Sequence, residues 1–484
     1  MSNEFLYIYP NSIQKRDGSA FCMAKTSEGN KLLVSGPDME LYEGDITTLQ
    51  AVKYKCCPLT VENAKALRKL FDFTNPKSHR GHNITIGLGD RLGLASPAHI
   101  RLIRDLDIFP VLAQQSMREL NLTGRNYEEV LAAAVWAVFR EGYTKGYGAD
   151  GDHLKTYEEV KLALDCGYSM ITLDCSEHIR NDMATASDDD ISTSYANLTE
   201  DLASLENEYL QGRFHISADI DIEFTAADLK RAVLTYNDAI RHAVNIYSGL
   251  IKGTEIDFEL SIDETLSTTS PQSHFFVANE LVKQGVEMAS LAPRFIGEFQ
   301  KGIDYIGDLS EFERDFLVHA KIAEKFGYKI SVHSGSDKFS IFPAVGRLTG
   351  GKYHIKTAGT NWLEAVRVIA KHEPDLYREL HTYALEHVSE AKKYYYITEN
   401  TANIAALDSV SDEELPAYFD QNDARQVIHI TYGLMLQAKT PEGTLRFRDS
   451  IYQALEKYES EYFEALEKHI GRHIAALGIE AGNY

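Results

Sequence analysis

Eight short apolar or β-branched runs recur down the middle of the chain, separated by polar turns and by stretches with helical periodicity. They read Ile84 to Gly87, Phe109 to Ala113, Tyr147 to Gly151, Ser169 to Leu173, Ile256 to Ile262, Ala289 to Pro293, Tyr328 to Val332 and Tyr353 to Ile355. Strands of a parallel sheet read this way because both of their faces are covered. Between them, 126 to 143 places Val130, Leu131, Ala134, Val135 and Val138 on one broad face, and 311 to 326 does the same with Phe312, Phe316, Leu317, Ile322 and Ala323. Alternation of eight strands with helices predicts an α/β fold, a (β/α)8 TIM-type barrel.

The flanks carry other patterns. Residues 1 to 80 alternate apolar and polar positions between turn signals such as Arg16-Asp17-Gly18-Ser19, then close on a helix from about 60 to 73 that Thr60 is placed to cap. A small N-terminal β-rich segment is expected there. The barrel then occupies 81–360, with a helical insertion after strand 4 at about 178–250 that is acidic at its start (Asp188-Asp189-Asp190). From 361 to 484 nearly everything repeats with helical spacing, as in Tyr452, Leu455, Tyr458, Tyr462 and Leu466. That helical C-terminal extension either covers the barrel mouth or forms an interface in a homo-oligomer, since its pattern fits both.

Composition narrows the function. A formal charge of −23 over 484 residues speaks against nucleic-acid and membrane partners, which attract basic stripes. No window approaches eighteen apolar residues, and the first residues lack a basic stretch followed by an apolar one, so a soluble cytoplasmic protein is expected. Five cysteines, odd in number and without metal-type spacing, indicate neither a disulfide framework nor a zinc ribbon, and adjacent Cys56-Cys57 read as packed thiols. Gly87-Leu-Gly89-Asp-Arg-Leu-Gly93 imitates a dinucleotide fingerprint, but its third glycine is displaced and no strand ending in an acid follows about twenty residues on, so no NAD is expected.

In a (β/α)8 barrel the active site is built from the carboxyl ends of the strands, so chemistry is sought there. Asp150-Gly-Asp152-His153, with Lys155 beyond it, joins an imidazole to carboxylates at the third strand end. His333 ends the seventh, before Ser334-Gly335-Ser336-Asp337-Lys338, whose successive N–H groups are candidates to cradle an oxyanion. Imidazoles on nonadjacent strands converge on one divalent cation if the barrel brings them together. Asp263-Glu264 ends the fifth strand, one of the two must face the barrel axis or the pocket, and Glu264 is favoured because the polar loop Thr265 to Ser273 beyond it is suited to hold substrate. Glu298 and Gln300, two apart in an extended segment, point the same way and either is an oxygen donor. Arg91, Lys155, Arg294, Lys338 and Lys356 lie at strand ends of an acidic chain, which suggests a pocket for a carboxylate or phosphate.

The wording Gly87-Leu-Gly-Asp-Arg-Leu-Gly-Leu-Ala-Ser-Pro97, Gln114-Gln-Ser-Met-Arg-Glu-Leu-Asn-Leu-Thr-Gly124, Gly148-Ala-Asp-Gly-Asp-His-Leu-Lys155 and His333-Ser-Gly-Ser-Asp-Lys338 resembles the tagaturonate epimerase family. The resemblance implies an isomerase that interconverts D-tagaturonate and D-fructuronate in hexuronate catabolism with a divalent metal cation, for which Zn, Mn, Ni and Co are all compatible. Carried onto this chain, it implies His153, His333 and Glu298 or Gln300 as metal ligands and Asp152 and Glu264 as proton-transfer residues. Arg91, Gln114, Lys155, Arg294, Lys338 and Lys356 are then expected to bind a small keto-uronate. The two keto acids differ at the carbinol β to the ketone, whose C–H no adjacent carbonyl acidifies, so retro-aldol cleavage and recombination is the expected route. A metal-dependent sugar isomerase or aldolase, and a noncatalytic carbohydrate sensor, are the competing readings.

Overall fold

The eight runs form eight parallel strands that close on themselves. In the computed structural model, which describes residues 5–49, 51–198 and 202–479, they span Ile84–Gly87, Phe109–Ser116, Gly148–Leu154 and Met170–Asp174. The second half comprises Asp257–Ile262, Ser290–Pro293, Lys329–Val332 and Tyr353–Lys356. The eighth strand pairs with the first, Tyr353 opposite Ile84 and Lys356 opposite Gly87, so the barrel has no open edge.

Two strands run well past their expected ends, the second to Ser116 and the third to Leu154, while the fourth and eighth gain one residue each, Asp174 and Lys356. The pairing of the second with the third shifts register between Val111 and Ala113 and, on the third strand's other side, between Ile171 and Leu173. Such bulges bend a strand and re-aim its side chains. Gln114, Asp152 and His153 are therefore carried by sheet rather than by loop, and His153 adopts a left-handed φ of 53°.

Helices on the outside follow the expected periodicity and are closed by local chemistry. Tyr127–Glu141 begins with a capping box between Asn126 and Glu129 and ends on Gly142 at φ 57°. Leu309–Phe326 is capped by Asp308 and ends on Gly327 at φ 85°.

The N-terminal segment is a six-stranded sheet with helix Val61–Leu70, which Thr60 caps by accepting the Asn63 N–H. Phe71 packs its ring against Phe21 of that sheet and Phe139 of a barrel helix, so sheet and barrel share one apolar core. After the fourth strand come Asp188–Ala196, Ala203–Gln211 and Ala226–Ile246, together with a small hairpin, Phe214–Ser217 with Ile220–Ile222, that helical periodicity did not foretell. The C-terminal region builds a second core around Trp362, Leu380, Val427 and Leu466 that reaches the barrel through Leu92, Ala95 and Ala98. Tyr452 and Tyr462 pack there as expected of structural aromatics. The stretch between helices Pro374–Ala391 and Asn422–Ile430 departs from the expected periodicity: it is irregular, with short 3-10 turns, and it lays Tyr394, Tyr395 and Tyr396 along the barrel mouth.

Candidate active site

Strand alternation determines what faces the barrel axis. Asp150 and Asp152 share one face of the third strand, and Glu259, Ser261 and Asp263 share one face through the end of the fifth. Lys356, at the end of the eighth strand, inserts its ammonium among them. Its Nζ lies 3.0 Å from Asp150, 2.6 Å from Asp152 and 2.9 Å from Glu259, and it donates to Thr172 Oγ1 at 2.6 Å. Burial works against each charge, but the ammonium prevails and holds Asp152 and Glu259 well below the usual carboxylate range. Asp150, where burial outweighs Lys356, rises to about 6. Lys356 is thus an internal counter-ion beneath the site.

Above it sit the two imidazoles, brought together from distant stretches with ring centres 4.8 Å apart. His153 Nδ1 is 2.8 Å from Asp152 Oδ1, and His333 Nε2 is 2.7 Å from Glu259 Oε1. Each ring therefore commits one nitrogen to a carboxylate and keeps the other for a further partner, the arrangement that orients metal-binding histidines. For His333 the other nitrogen, Nδ1, faces Asp263 at 3.2 Å. Donor atoms of His153, Asp263 and His333 lie within 4.8 Å of one another. Three carboxylates (Asp150, Asp152 and Glu259) face one ammonium and Asp263 adds a fourth beside His333, a surplus of acidic groups that favours a cation. Protons show the same pull: despite burial, Asp152 raises His153 to about 10, and Asp263 raises His333. The donor set fits a divalent cation.

Asp263 and Glu264 both line this pocket, and Asp263 is the one beside the imidazoles. Glu264 sits at the mouth with its side chain 40% exposed, 3.9 Å from Arg118. Arg118 lies over the Tyr395 ring, and Lys301 reaches the Ser334 hydroxyl at 3.0 Å. Arg118, Lys301, Tyr395 and His429 also line the pocket and carried no signal in the strand-end reading. Arg118 stands in the first turn of the short helix Met117–Thr123 that follows the second strand, Lys301 and Tyr395 stand in turns or irregular chain, and His429 stands on a helix far downstream.

Other expected residues are placed elsewhere. Gln300 is buried and its Oε1 accepts from Thr398 and Gln426, each at 3.0 Å, while the Glu298 backbone pairs with Ile306; neither joins the His153–His333 donor group. Lys155 pairs with Glu177 at 3.1 Å and Asp174 at 3.6 Å on the rim. Arg294 donates to the Thr265 carbonyl. Lys338 donates to the Gln300, Ile303 and Ser336 carbonyls at 2.8, 2.6 and 3.1 Å, clamping a loop rather than opening to the pocket. The N–H groups of Gly335 and Asp337 are spent on the Lys356 carbonyl and on His473, so this loop is not an anion cradle at those positions. Asp337, ion-paired with Arg425 at 2.7 Å and His469 at 2.9 Å, ties it to the C-terminal helices. The glycines of the dinucleotide look-alike have a steric role: a Cβ on Gly87 would fall 2.2 Å from Gln114 Oε1.

A closed barrel that gathers imidazoles, acids and cationic groups at the carboxyl ends of its strands defines an enzyme of the (β/α)8 class. The chain belongs to the tagaturonate epimerase family, whose sequence model (UxaE) matches residues 9–477, and it is an isomerase. It is 40% identical over 476 residues to the tagaturonate/fructuronate epimerase of Thermotoga maritima, covering 97% of this chain and 96% of that protein. Crystal structures of the fructuronate-tagaturonate epimerase UxaE from Cohnella laeviribosi, native and complexed with one glycerol, each superpose with a TM-score of 0.95 at 50% identity. Each comparison covers 98% of this chain and 97% of the other. Among the described residues no helix is long and apolar enough to cross a membrane.

Proposed function

We propose that this protein interconverts D-tagaturonate and D-fructuronate with a divalent cation held by His153, His333 and Asp263, by cleaving and re-forming the carbon–carbon bond between the positions α and β to the ketone. The observation that carries the reading is the convergence of those donors, each imidazole held by a carboxylate, beside Glu264 and the cationic pair Arg118 and Lys301. A bound cation would supply Lewis acidity to the hydroxy ketone, the electron sink that breaking this bond requires. The protein's own groups do the rest. Glu264, lightly paired and open to the mouth, takes the proton of the β-hydroxyl as the bond breaks to an aldehyde. The aldehyde turns about its bond to the carboxylate-bearing carbon while Arg118 and Lys301 hold the carboxylate, so recombination attacks the opposite face. The proton taken by Glu264 passes through the open mouth to Asp152, which Lys356 and His153 keep ionised until then, and from Asp152 to the new alkoxide on the second face, so both acids end the cycle as they began it.

The test is product analysis by NMR with tagaturonate in D2O. Retro-aldol inversion keeps the hydrogen on the inverted carbon, so fructuronate should form without deuterium there. Deuterium at that carbon would rule out the route, and near wild-type turnover by both Asp152→Asn and Glu264→Gln would rule out the residue roles.

A further inference from the structure

Three buried side chains in the same pocket carry polar atoms with no use inside the protein. Among the described residues, neither ring nitrogen of His429, neither amide atom of Gln114 and not Nη1 of Arg91 has a hydrogen-bond partner. All three residues line the pocket that holds His153 and His333, and they are deep in it, 0%, 1% and 3% exposed. Two of them are seated against glycines whose φ is ordinary. A Cβ on Gly87 would crowd Gln114, and one on Gly359 would fall 2.5 Å from His429 Cε1 and 2.7 Å from Nε2. Arg91 is fixed from behind by Glu119 at 2.7 Å and by the Tyr432 ring at 3.9 Å. Buried donors and acceptors left unpaired cost stability that packing does not return, so a cluster of them aimed into one cavity marks a place where a ligand completes the bonding.

Charge separates this end of the pocket from the mouth. Arg91 is matched by Glu119 and Gln114 is neutral. Burial, then the nearby Arg91 and Lys301, hold His429 well below the usual imidazole range, so its ring is neutral. At the mouth, Lys301 bonds the Ser334 hydroxyl and forms no ion pair among the described residues, and Arg118 has Glu264 at 3.9 Å. A carboxylate belongs at the mouth. An uncharged group that both donates and accepts belongs at the deep end, and a hydroxyl is such a group.

We infer that His429, Gln114 and Arg91 form a hydroxyl-reading subsite that takes the hydroxymethyl group beside the ketone, and that the C-terminal region contributes to specificity through His429. This rests on the keto-uronate reading above. It makes the C-terminal helices part of the binding site and orients the substrate with its ketone at His153 and His333 and its carboxylate outward.

The test compares wild-type protein, His429→Phe, His429→Gln and Gly359→Ala, the last of which crowds the ring without removing it. Each is assayed on tagaturonate and on its analogue with hydrogen in place of the hydroxymethyl oxygen. In wild-type protein the native substrate should be preferred by a large factor, because a site built to bond a hydroxyl rejects the analogue that lacks it. His429→Phe and Gly359→Ala should reduce the preference in kcat/KM at least tenfold, mostly through KM, and His429→Gln should keep part of it. An equal loss on both substrates, or an unchanged preference, overturns the inference. Dihydroxyacetone, titrated by NMR, keeps the outcome separate from the function: its binding should weaken at least tenfold in His429→Phe, and equal binding to both proteins overturns the subsite. Wild-type protein that binds dihydroxyacetone but leaves tagaturonate unchanged would instead refute the keto-uronate reading.

Discussion

Replacing Lys356 by methionine keeps the length of the side chain and removes the charge on which three buried carboxylates depend. At 3 Å and an effective dielectric near 20, two unit charges interact by roughly 5 kcal/mol, so the contacts with Asp150, Asp152 and Glu259 are individually strong. Most of that attraction is offset by taking four charges out of water, and deleting one partner of a buried pair costs about 3–5 kcal/mol net. Part of the loss is relieved by protonating Asp150, which burial already lifts to about 6 against the pull of Lys356. In the variant its folded pKa lies higher still, above the unfolded value, so this relief is present at low pH and is lost as pH rises through the folded pKa. The expected result is therefore a destabilisation of about 3 kcal/mol at neutral pH that shrinks below pH 6, measured by urea unfolding at pH 5 and pH 7.5. Adding Asp150→Asn to Lys356→Met should restore part of the stability, because the two changes share one contact. Equal unfolding midpoints for wild-type protein and Lys356→Met at pH 7.5, or a double variant less stable than the single one, would refute the counter-ion account.

Three further outcomes can be checked. Chelation should abolish turnover, and re-adding a divalent ion should restore it in wild-type protein but not in His333→Asn or Asp263→Asn, as followed by metal analysis beside the activity assay. Glu259→Gln, which weakens the group orienting His333, should lower metal affinity by about 10- to 100-fold, readable by competition with a chromogenic chelator. At the opposite end of the barrel, burial pulls the Lys329 amine down to about 7 despite the attraction of Asp257, and its Nζ is 2.9 Å from His79. Its folded pKa lies below the unfolded value near 10.4, so the unfolded chain binds more protons between about pH 7 and pH 10 and wild-type stability should rise across that window. Lys329→Met should flatten that rise and gain about 2 kcal/mol at pH 7, seen as a higher urea midpoint.

The strand ends illustrate how far the one-dimensional pattern carries. Apolar runs and their helical partners are local properties, so the eight strands, the cap at Thr60 and the presence of His153 and His333 at the carboxyl ends were all legible. Period-two alternation would also have favoured Asp263 over Glu264 for the inward position beside the imidazoles, since Glu259 and Ser261 precede it on that face. The polar loop beyond Glu264 drew attention to the outer of the two acids; both line the pocket, Asp263 beside the imidazoles and Glu264 at the mouth.

What the chain alone determined is the barrel's strands and the helices between them, because helix and strand follow from spacing within a few residues; the small hairpin after the fourth strand and the irregular stretch before Asn422 carry no such spacing. Which groups meet across the barrel was decided by closure and by the bulges on the second and third strands, which move side chains by ångströms that no spacing records. Closure turned Lys356 into a counter-ion for acids more than ninety residues away and left Gln300 bonded to Thr398 and Gln426. It was folding, too, that brought Arg118, Lys301 and His429 to one cavity. Electrostatic and hydrogen-bond partners are chosen by distance in space, and only the packed structure supplies that distance.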